Sequence, residues 1–268
     1  MRLDQVLAGA PLKSPLPPDL AAVEVTGLEY DSRRVAPGYL FFAFRGARYD
    51  GRQFAADALA RGAVAVISEG GPPEGFAGPW LEVEHGRKTL AIAALNFYGH
   101  PDQRLALTGV TGTNGKTTTT FLLDAMLRAA GLTTALLGTI EHRVADRVQP
   151  AVNTTPESLD LVRWMDELLA AGGTHVTMEV SSHGLALGRV YGFHFHTAVF
   201  TNLSQDHLDF HGTMEEYFAA KRRLFEGAGA PPPRFAVVNA DDPYSSRLPL
   251  PDPPRALRYG LGEEATVR

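Results

Sequence analysis

The segment "TGVTGTNGKTTTT" (residues 108–120) joins an apolar strand to the start of a helix, the setting in which proteins build phosphate-binding loops. Backbone N–H groups around Gly112–Gly115 and the helix N-terminus can bind anionic oxygens. In such a loop Lys116 reaches the terminal phosphates of a nucleotide, and the Thr117 hydroxyl faces Mg²⁺. Val110 stands where the usual spacing places a glycine, so the alternative is a glycine-rich turn that only caps a helix. The segment nevertheless predicts a nucleotide-binding domain.

A regular alternation of strands and helices surrounds this loop. Apolar runs predict strands at 105–110, 134–139, 175–180, 197–203 and 234–239, with helices at 115–130, 157–171 and 213–226. Thr155 as N-cap and Pro156 at the first helical position mark the start of the second helix. Such an alternation indicates an α/β fold with a mostly parallel sheet, whose ligands bind at the carboxyl ends of the strands. We expect this P-loop ATPase-like domain to span residues 102–268.

Residues 1–101 predict a separate, smaller α/β domain. Strands are expected at 39–44 and 63–68, helices at 53–62 and 89–99, and a loop at 73–80. The segment "HPDQR" (100–104) is typical of a linker.

Composition excludes several classes of protein. The 268 residues are 44% hydrophobic and 21% charged, which is typical of a globular chain with a proper core. Without cysteine, disulfides and thiolate chemistry are excluded. A net charge of −5 with no basic stripe argues against a nucleic-acid partner. No apolar run is long enough to span a bilayer and the N-terminus has no secretory segment, so we expect a cytoplasmic protein.

Polar residues follow three of the predicted strands. Glu179 in "MEVSSHGL" (178–185) is suited to binding Mg²⁺ or orienting an attacking group, or is simply a solvated strand-end carboxylate. In "TNLSQDHLDFHG" (201–212), His207 is a candidate metal ligand, although such loops are commonly only turns. Asn239 in "NADDP" either contacts a nucleotide or forms an Asx turn.

Lys221 lies on the apolar stripe of the helix within "HGTMEEYFAAKRRLFEG" (211–227), which Thr213 and Glu216 begin as a capping box. Lysine occurs only at 13, 88, 116 and 221, against 21 arginines, so a retained lysine suggests chemistry that arginine cannot perform. One interpretation is that Lys221 buries only its stem and extends its ammonium to water. The other is that burial lowers its pKa and leaves a neutral, modifiable amine.

Taken together, these segments resemble the ATP-dependent Mur ligases of peptidoglycan synthesis. The resemblance covers nearly the whole chain, and it is greatest for the members that add the third residue of the peptide. It rests on "DSRRVAPGYLFFAFRG" (31–46), "TGTNGKT" (111–117), "NTTP" (153–156), "MEVSSHGLALGRV" (178–190) and "TNLSQDHLDFHGTMEEYFAAK" (201–221).

The resemblance implies a role for each matching residue. Tyr30 and Ser32 would bind the uracil of a UDP-sugar in the first domain, and the loop "ARYDG" (47–51) would bind the sugar. The muramoyl-dipeptide would be bound by Asn153, Thr154, Thr155, Ser181 and Arg189. ATP would be bound by Gly112, Thr113, Asn114, Gly115, Lys116, Thr117, Thr118 and Asn239. Two Mg²⁺ ions would be held by Thr117, Glu179, His207 and Lys221, the last as a carbamate made from CO₂, and the catalytic residues would be Lys116, Glu179, His207 and Lys221.

The implied reaction joins the D-Glu side-chain carboxylate of UDP-MurNAc-L-Ala-D-Glu to the amine of a diamino acid through an acyl phosphate. These ligases carry a third, C-terminal domain that recognises the amino acid, so we expect this chain to be a truncated form, and a monomer. The diamino acid stays open between meso-diaminopimelate, lysine and ornithine. The alternatives are a terminal-dipeptide-adding ligase, a folylpolyglutamate synthase, or a non-catalytic module that binds a nucleotide or the UDP-precursor.

Overall fold

The computed structural model describes residues 1–46 and 49–268, which divide into two compact units, Met1–His100 and Pro101–Arg268. Ala47 and Arg48, in the loop expected to bind the sugar, lie outside the described residues. None of the helices in the described ranges is long and apolar enough to cross a membrane.

The first unit is a four-stranded parallel sheet with helices packed against it. Its elements are α1 (Leu3–Val6), α2 (Pro18–Ala21), β1 (Gly27–Glu29), β2 (Tyr39–Phe42), α3 (Ala55–Ala60), β3 (Ala65–Ser68), β4 (Trp80–Glu82) and α4 (Gly86–Phe97), with 3₁₀ turns at Ser32–Arg34 and Gly51–Phe54. The strands follow the chain order β1-β2-β3-β4 and bury nearly continuous apolar runs such as Leu40–Phe42.

The second unit is built around an eight-stranded sheet. Its elements are β5 (Ala106–Thr111), α5 (Lys116–Ala129), β6 (Thr134–Leu137), β7 (Glu141–Val144), β8 (Arg147–Pro150), α6 (Ser158–Ala170), β9 (His175–Glu179), α7 (Ser182–Ala186), β10 (Thr197–Phe200), α8 (Leu208–His211), α9 (Met214–Glu226), β11 (Phe235–Asn239) and β12 (Ala256–Tyr259), with 3₁₀ turns at Pro101–Gln103 and Pro243–Arg247. The strand order is β12-β11-β10-β5-β9-β6-β7-β8, and only the β6–β7 and β7–β8 pairs are antiparallel. The predicted α/β class with a mostly parallel sheet is confirmed.

Two local predictions are wrong, those for the loop 73–80 and for the start of α6, and one hairpin was not predicted. The predicted loop 73–80 ends in β4, because Trp80–Glu82 pairs with Val66–Ser68. The β7–β8 hairpin was not predicted because charged residues interrupt its apolar pattern. A contact outside the hairpin accommodates one of them: Arg143 forms an ion pair with the buried carboxylate of Asp124 on α5, 3.0 Å away.

The other wrong prediction concerns the start of α6. Its N-cap is Glu157, not Thr155, and Pro156 precedes the helix. The Thr155 hydroxyl instead donates to the backbone carbonyl of Glu179 at 2.9 Å and accepts from the Ser181 N–H at 3.0 Å. A hydroxyl that is buried must satisfy its hydrogen bonds, and here Glu179 at the end of β9 and Ser181, the N-cap of α7, are the partners.

Sheet order determines which loops meet. β5 lies between β9 and β10, with Val110 opposite Glu179 and Thr111 opposite Phe200. Because parallel strands end at the same edge, the segments that follow these three strands lie side by side.

Candidate active site

The phosphate loop turns sharply on two glycines. Gly112 has φ +148°, and a Cβ there would overlap Thr201 Oγ1. Gly115 has φ +86° and is the N-cap of α5. Val110, which departs from the usual spacing, is buried in β5 and lies before the loop, so its side chain does not obstruct the turn.

The segment after β10 holds this loop in place. The Thr201 hydroxyl donates to the Asn114 carbonyl at 2.7 Å. Asn202 contacts the same residue with both ends of its amide, since Oδ1 accepts from the Asn114 N–H at 3.0 Å and Nδ2 donates to its carbonyl at 3.1 Å. The Thr113 N–H donates to the Asn202 carbonyl at 2.8 Å. These bonds fix the loop's backbone while the N-terminus of α5 stays directed at the space beyond it.

The side chain of Lys116 is hydrogen-bonded to the backbone of its own loop. Its Nζ donates to the carbonyls of Gly112, at 2.9 Å, and Thr113, at 2.8 Å. Burial lowers the pKa of the amine, while the negative charges of Glu179 and Asp206 oppose that shift.

Lys221 on α9 reaches the same carbonyl from the other side. Only 1% of the residue is exposed, its Nζ donates to Gly112 O at 2.8 Å, and the Tyr217 ring centroid lies 4.4 Å away. Burial, with a smaller effect from the charge of Lys116, lowers the pKa of this amine to about 6. The predicted inward direction is confirmed, and the interpretation in which the ammonium reaches water is wrong.

Glu179 is also buried, with 1% of the residue exposed, so the interpretation of a solvated strand-end carboxylate is wrong. Its Oε2 accepts from the hydroxyls of Thr117, at 3.0 Å, and Thr139, at 3.1 Å, while Oε1 accepts from the Thr139 N–H at 2.8 Å. Gly138 leaves room for this carboxylate, since a Cβ there would lie 2.5 Å from Oε1.

Sequence reasoning missed Gly138 and Thr139. No motif marks them, but they follow β6, which neighbours β9, and the rule that ligands bind at strand ends could have drawn attention to them.

A hydroxyl and a carboxylate hydrogen-bonded to each other are the hard oxygen ligands that Mg²⁺ prefers, so Thr117 and Glu179 fit this ion. His207 is exposed, has φ +52°, and its Nε2 lies 3.5 Å from Asp206 Oδ2. Its ring contacts that of His183 at 4.8 Å. Within residues 1–46 and 49–268, no group of three or more His, Asp or Glu side chains is assembled to hold a metal.

Four of the five predicted dipeptide residues, Thr154, Thr155, Ser181 and Arg189, lie in a hydrogen-bonded cluster beside Glu179. Besides the Thr155–Ser181 bond described above, Arg189 donates to the Thr155 carbonyl at 2.8 Å and to Glu157 at 3.2 Å. The hydroxyls of Thr154 and Thr139 lie 3.0 Å apart, and Asn153 is exposed.

Asn239 forms the Asx turn. Its Oδ1 accepts from the Asp241 N–H at 3.0 Å, and its Nδ2 donates to the Thr201 carbonyl at 2.9 Å. It therefore supports the segment that holds the phosphate loop, and nucleotide contact by Asn239 stays a prediction.

In the first unit, Tyr30 and Ser32 line a pocket of about 470 Å³, whose other lining residues include Tyr49 and Phe54. The Tyr30 ring stacks on Phe44, with centroids 6.1 Å apart. The pocket offers flat aromatic surface and polar groups, the chemistry that a nucleobase requires.

Comparison with known proteins agrees with this geometry. The Mur ligase middle domain family matches residues 110–268, and the family described as "Mur ligase family, catalytic domain" matches residues 24–98. The UDP-N-acetylmuramoyl-L-alanyl-D-glutamate--2,6-diaminopimelate ligase of Solibacter usitatus is 65% identical over 100% of this chain and 54% of its own length.

Two solved structures are similar as well. A UDP-N-acetylmuramoyl-L-alanyl-D-glutamate--2,6-diaminopimelate ligase aligns with a TM-score of 0.79 and 30% identity over 98% of this chain and 53% of its own. The MurF ligase of Thermotoga maritima, in complex with ADP, aligns with a TM-score of 0.60 and 25% identity over 89% of this chain and 50% of its own. The chain thus spans about half the length of the relatives it matches. With a family match over more than half of its residues, the chain belongs to the Mur ligase family.

Proposed function

We propose that this chain serves the ATP-dependent ligation of a diamino acid to UDP-MurNAc-L-Ala-D-Glu, and that the diamino acid is 2,6-diaminopimelate. The observation that carries the proposal is the phosphate loop at the end of β5, with Thr117 bonded to the buried carboxylate of Glu179. Diaminopimelate is favoured over lysine and ornithine by the 65% identity to the Solibacter usitatus ligase.

The first chemical step is a phosphoryl transfer. A D-Glu carboxylate oxygen attacks the γ-phosphorus of ATP, the bond to the β–γ bridging oxygen breaks, and ADP leaves with that electron pair. Lys116, now bonded to Gly112 and Thr113, would turn to the phosphates, and the N-terminus of α5 would bind their oxygens. Thr117 and Glu179 would hold Mg²⁺, whose positive charge would offset the negative charge of the phosphates.

In the second step, the amine nitrogen of diaminopimelate attacks the carbonyl carbon of the acyl phosphate. The carbon–oxygen bond to phosphate breaks, inorganic phosphate leaves, and the amine loses a proton to give the amide. In this chain Thr154, Ser181 and Arg189 would orient the D-Glu carboxylate for both steps.

Lys221 would act as an N-carboxylate. Its neutral amine can add to CO₂ with loss of one proton, which places an anion beside the phosphate loop. The buried position next to Gly112 and the lowered pKa support this proposal.

In the first unit, the pocket lined by Tyr30 and Ser32 would bind the uracil of the UDP-sugar. Its aromatic lining supports this assignment.

The test combines binding with trapping of the intermediate. We expect calorimetry to detect binding of ADP and of UDP-MurNAc-L-Ala-D-Glu. With ATP, Mg²⁺ and the UDP-dipeptide, hydroxylamine should trap an acyl phosphate as a hydroxamate. Lys116→Met should abolish trapping, and Lys88→Met, a change of the same type in the first unit, should not.

The other outcomes separate the alternatives. Binding of both ligands without hydroxamate would support the non-catalytic module. Absence of binding to the UDP-dipeptide would contradict the proposed function, and preference for a UDP-tripeptide would indicate the terminal-dipeptide-adding ligase.

A further inference from the structure

The hydroxyl of Thr139 lies between two groups that the proposed function assigns to different ligands. Its Oγ1 is 3.1 Å from Glu179 Oε2, on the proposed metal side, and 3.0 Å from Thr154 Oγ1, on the proposed dipeptide side. A hydroxyl carries one proton, so at any moment it donates to only one of these oxygens.

In this structure that proton goes to Glu179. Oε2 then accepts from both the Thr117 and the Thr139 hydroxyls, which occupies both of its lone pairs. A cation that binds Oε2, directly or through one of its waters, needs a free lone pair on that oxygen. The Thr139 hydroxyl must therefore turn away from Glu179 before Oε2 can serve a cation.

Thr154 Oγ1 is the acceptor toward which it can turn, at 3.0 Å. Thr154 Oγ1 can accept that bond while its own O–H points elsewhere. An anionic ligand beside Thr154 would accept a hydrogen bond from the Thr154 hydroxyl. An anion on the dipeptide side thus draws the Thr139 hydroxyl away from Glu179. The backbone N–H of Thr139 stays on Oε1 and keeps the carboxylate in place.

We propose that Thr139 is a positioning residue that makes binding of the UDP-dipeptide and of Mg²⁺ mutually favourable. The inference rests on the proposed function for its two ligands, but its effect on Mg²⁺ alone does not require the dipeptide. Because one hydrogen bond changes partner, we expect the coupling to be about five-fold in affinity, and the same factor must apply in both directions.

The test measures the Kd for Mg²⁺ of the ADP-saturated chain by calorimetry, with and without UDP-MurNAc-L-Ala-D-Glu. Three proteins are compared: the unchanged chain, Thr139→Val, which keeps the shape and the N–H, and Thr139→Ser, which also keeps the hydroxyl. Without the dipeptide, Thr139→Val should bind Mg²⁺ about five-fold more tightly than the other two, since Oε2 has lost a competing donor. Adding the dipeptide should lower the Kd for Mg²⁺ by a factor that is about five-fold larger in the unchanged chain and in Thr139→Ser than in Thr139→Val.

The direction of the first effect separates positioning from a structural role, because damage to the site would weaken Mg²⁺ binding. Weaker or equal basal affinity in Thr139→Val, or equal tightening in all three proteins, would overturn the proposal. If the unchanged chain binds no UDP-dipeptide, the proposed function fails, while the basal comparison still decides whether Thr139 competes for Glu179.

Discussion

At the scale of single residues, the site is defined by two amines that share one backbone oxygen. Lys116 and Lys221 both donate to Gly112 O, at 2.9 and 2.8 Å. Two ammonium groups at that separation from one acceptor repel each other strongly where water is excluded, which favours loss of a proton from the more buried one. Lys221 is that group, and its pKa is lowered to about 6.

This shift makes the stability of the chain depend on pH. Between pH 6 and about 10 the unfolded chain keeps the Lys221 amine protonated, whereas the folded chain does not, so the folded state binds fewer protons. The contribution of Lys221 to the free energy of unfolding therefore rises with pH, by about 1.4 kcal/mol per unit. We expect the stabilisation by Lys221→Met to be greatest near pH 6 and to decline at this slope toward pH 10, in urea unfolding in CO₂-free buffer.

Arg222→Met is the matched control, because Arg222 is the exposed neighbour on the same helix and arginine keeps its charge throughout this range. A constant difference between Lys221→Met and the unchanged chain from pH 7 to pH 10 would show that the amine is not neutral in the folded state.

Gly112 gives a second prediction at this scale. A side chain there would overlap Thr201 Oγ1 and would also be strained at φ +148°. We expect Gly112→Ala to lower the free energy of unfolding by about 2–4 kcal/mol and to abolish ADP binding in calorimetry. Gly131→Ala has the strain, at φ +82°, but open space around the added carbon, so it should cost about 1 kcal/mol and leave ADP binding intact. Equal effects of the two changes would contradict the role of the Thr201 contact.

At the scale of elements, α9 shows how far residue patterns carry. Its apolar spacing predicted the buried face and the direction of Lys221, because residues at helical spacing lie on one face and that face packs against the core. The prediction that Thr213 is the N-cap of α9 is also confirmed, since its Oγ1 accepts a hydrogen bond from the Glu216 N–H at 3.2 Å. The reciprocal half of the capping box is absent from this pair, since the Thr213 N–H donates to the His211 carbonyl at 2.9 Å.

Residue patterns were insufficient to predict the role of a residue where contacts with other elements determine that role. Thr155 has the residue type of an N-cap, but β9 takes its hydroxyl. Thr139 carries no pattern of its own and matters only because β6 ends beside Glu179. The phosphate loop, by contrast, depends on glycines and a helix start that are local, and so it was predictable.

The cap of α9 is testable by itself. Thr213→Ala removes the bond to the Glu216 N–H and should lower the free energy of unfolding by about 1 kcal/mol, measured in urea. Thr213→Ser keeps a hydroxyl that can accept the same bond and should recover most of this loss. If serine is no better than alanine, the hydroxyl does not cap the helix.

At the scale of the whole molecule, each compact unit has its own sheet and its own candidate site. We therefore expect the two ligands to protect different amides from hydrogen exchange. UDP should slow exchange around Tyr30–Arg34 in the first unit, and ADP should slow it around 111–118 and 201–204 in the second.

Ser32→Ala should reduce the protection by UDP and leave the protection by ADP unchanged. Protection of the phosphate loop by UDP alone would contradict the assignment of the uracil site to the first unit.

The two glycines that border the site also constrain how its sequence can evolve. Gly112 and Gly138 each leave a space that the side chain of a neighbouring segment enters: Thr201, just after β10, in one case, and Glu179, at the end of β9, in the other. Gly138 cannot gain a side chain unless Glu179 becomes smaller or changes its rotamer, and at Gly112 the backbone conformation adds a strain that no change of Thr201 removes. Positions 138 and 179 should therefore vary as a pair during divergence, whereas position 112, which is also strained at φ +148°, should stay glycine whatever stands at 201.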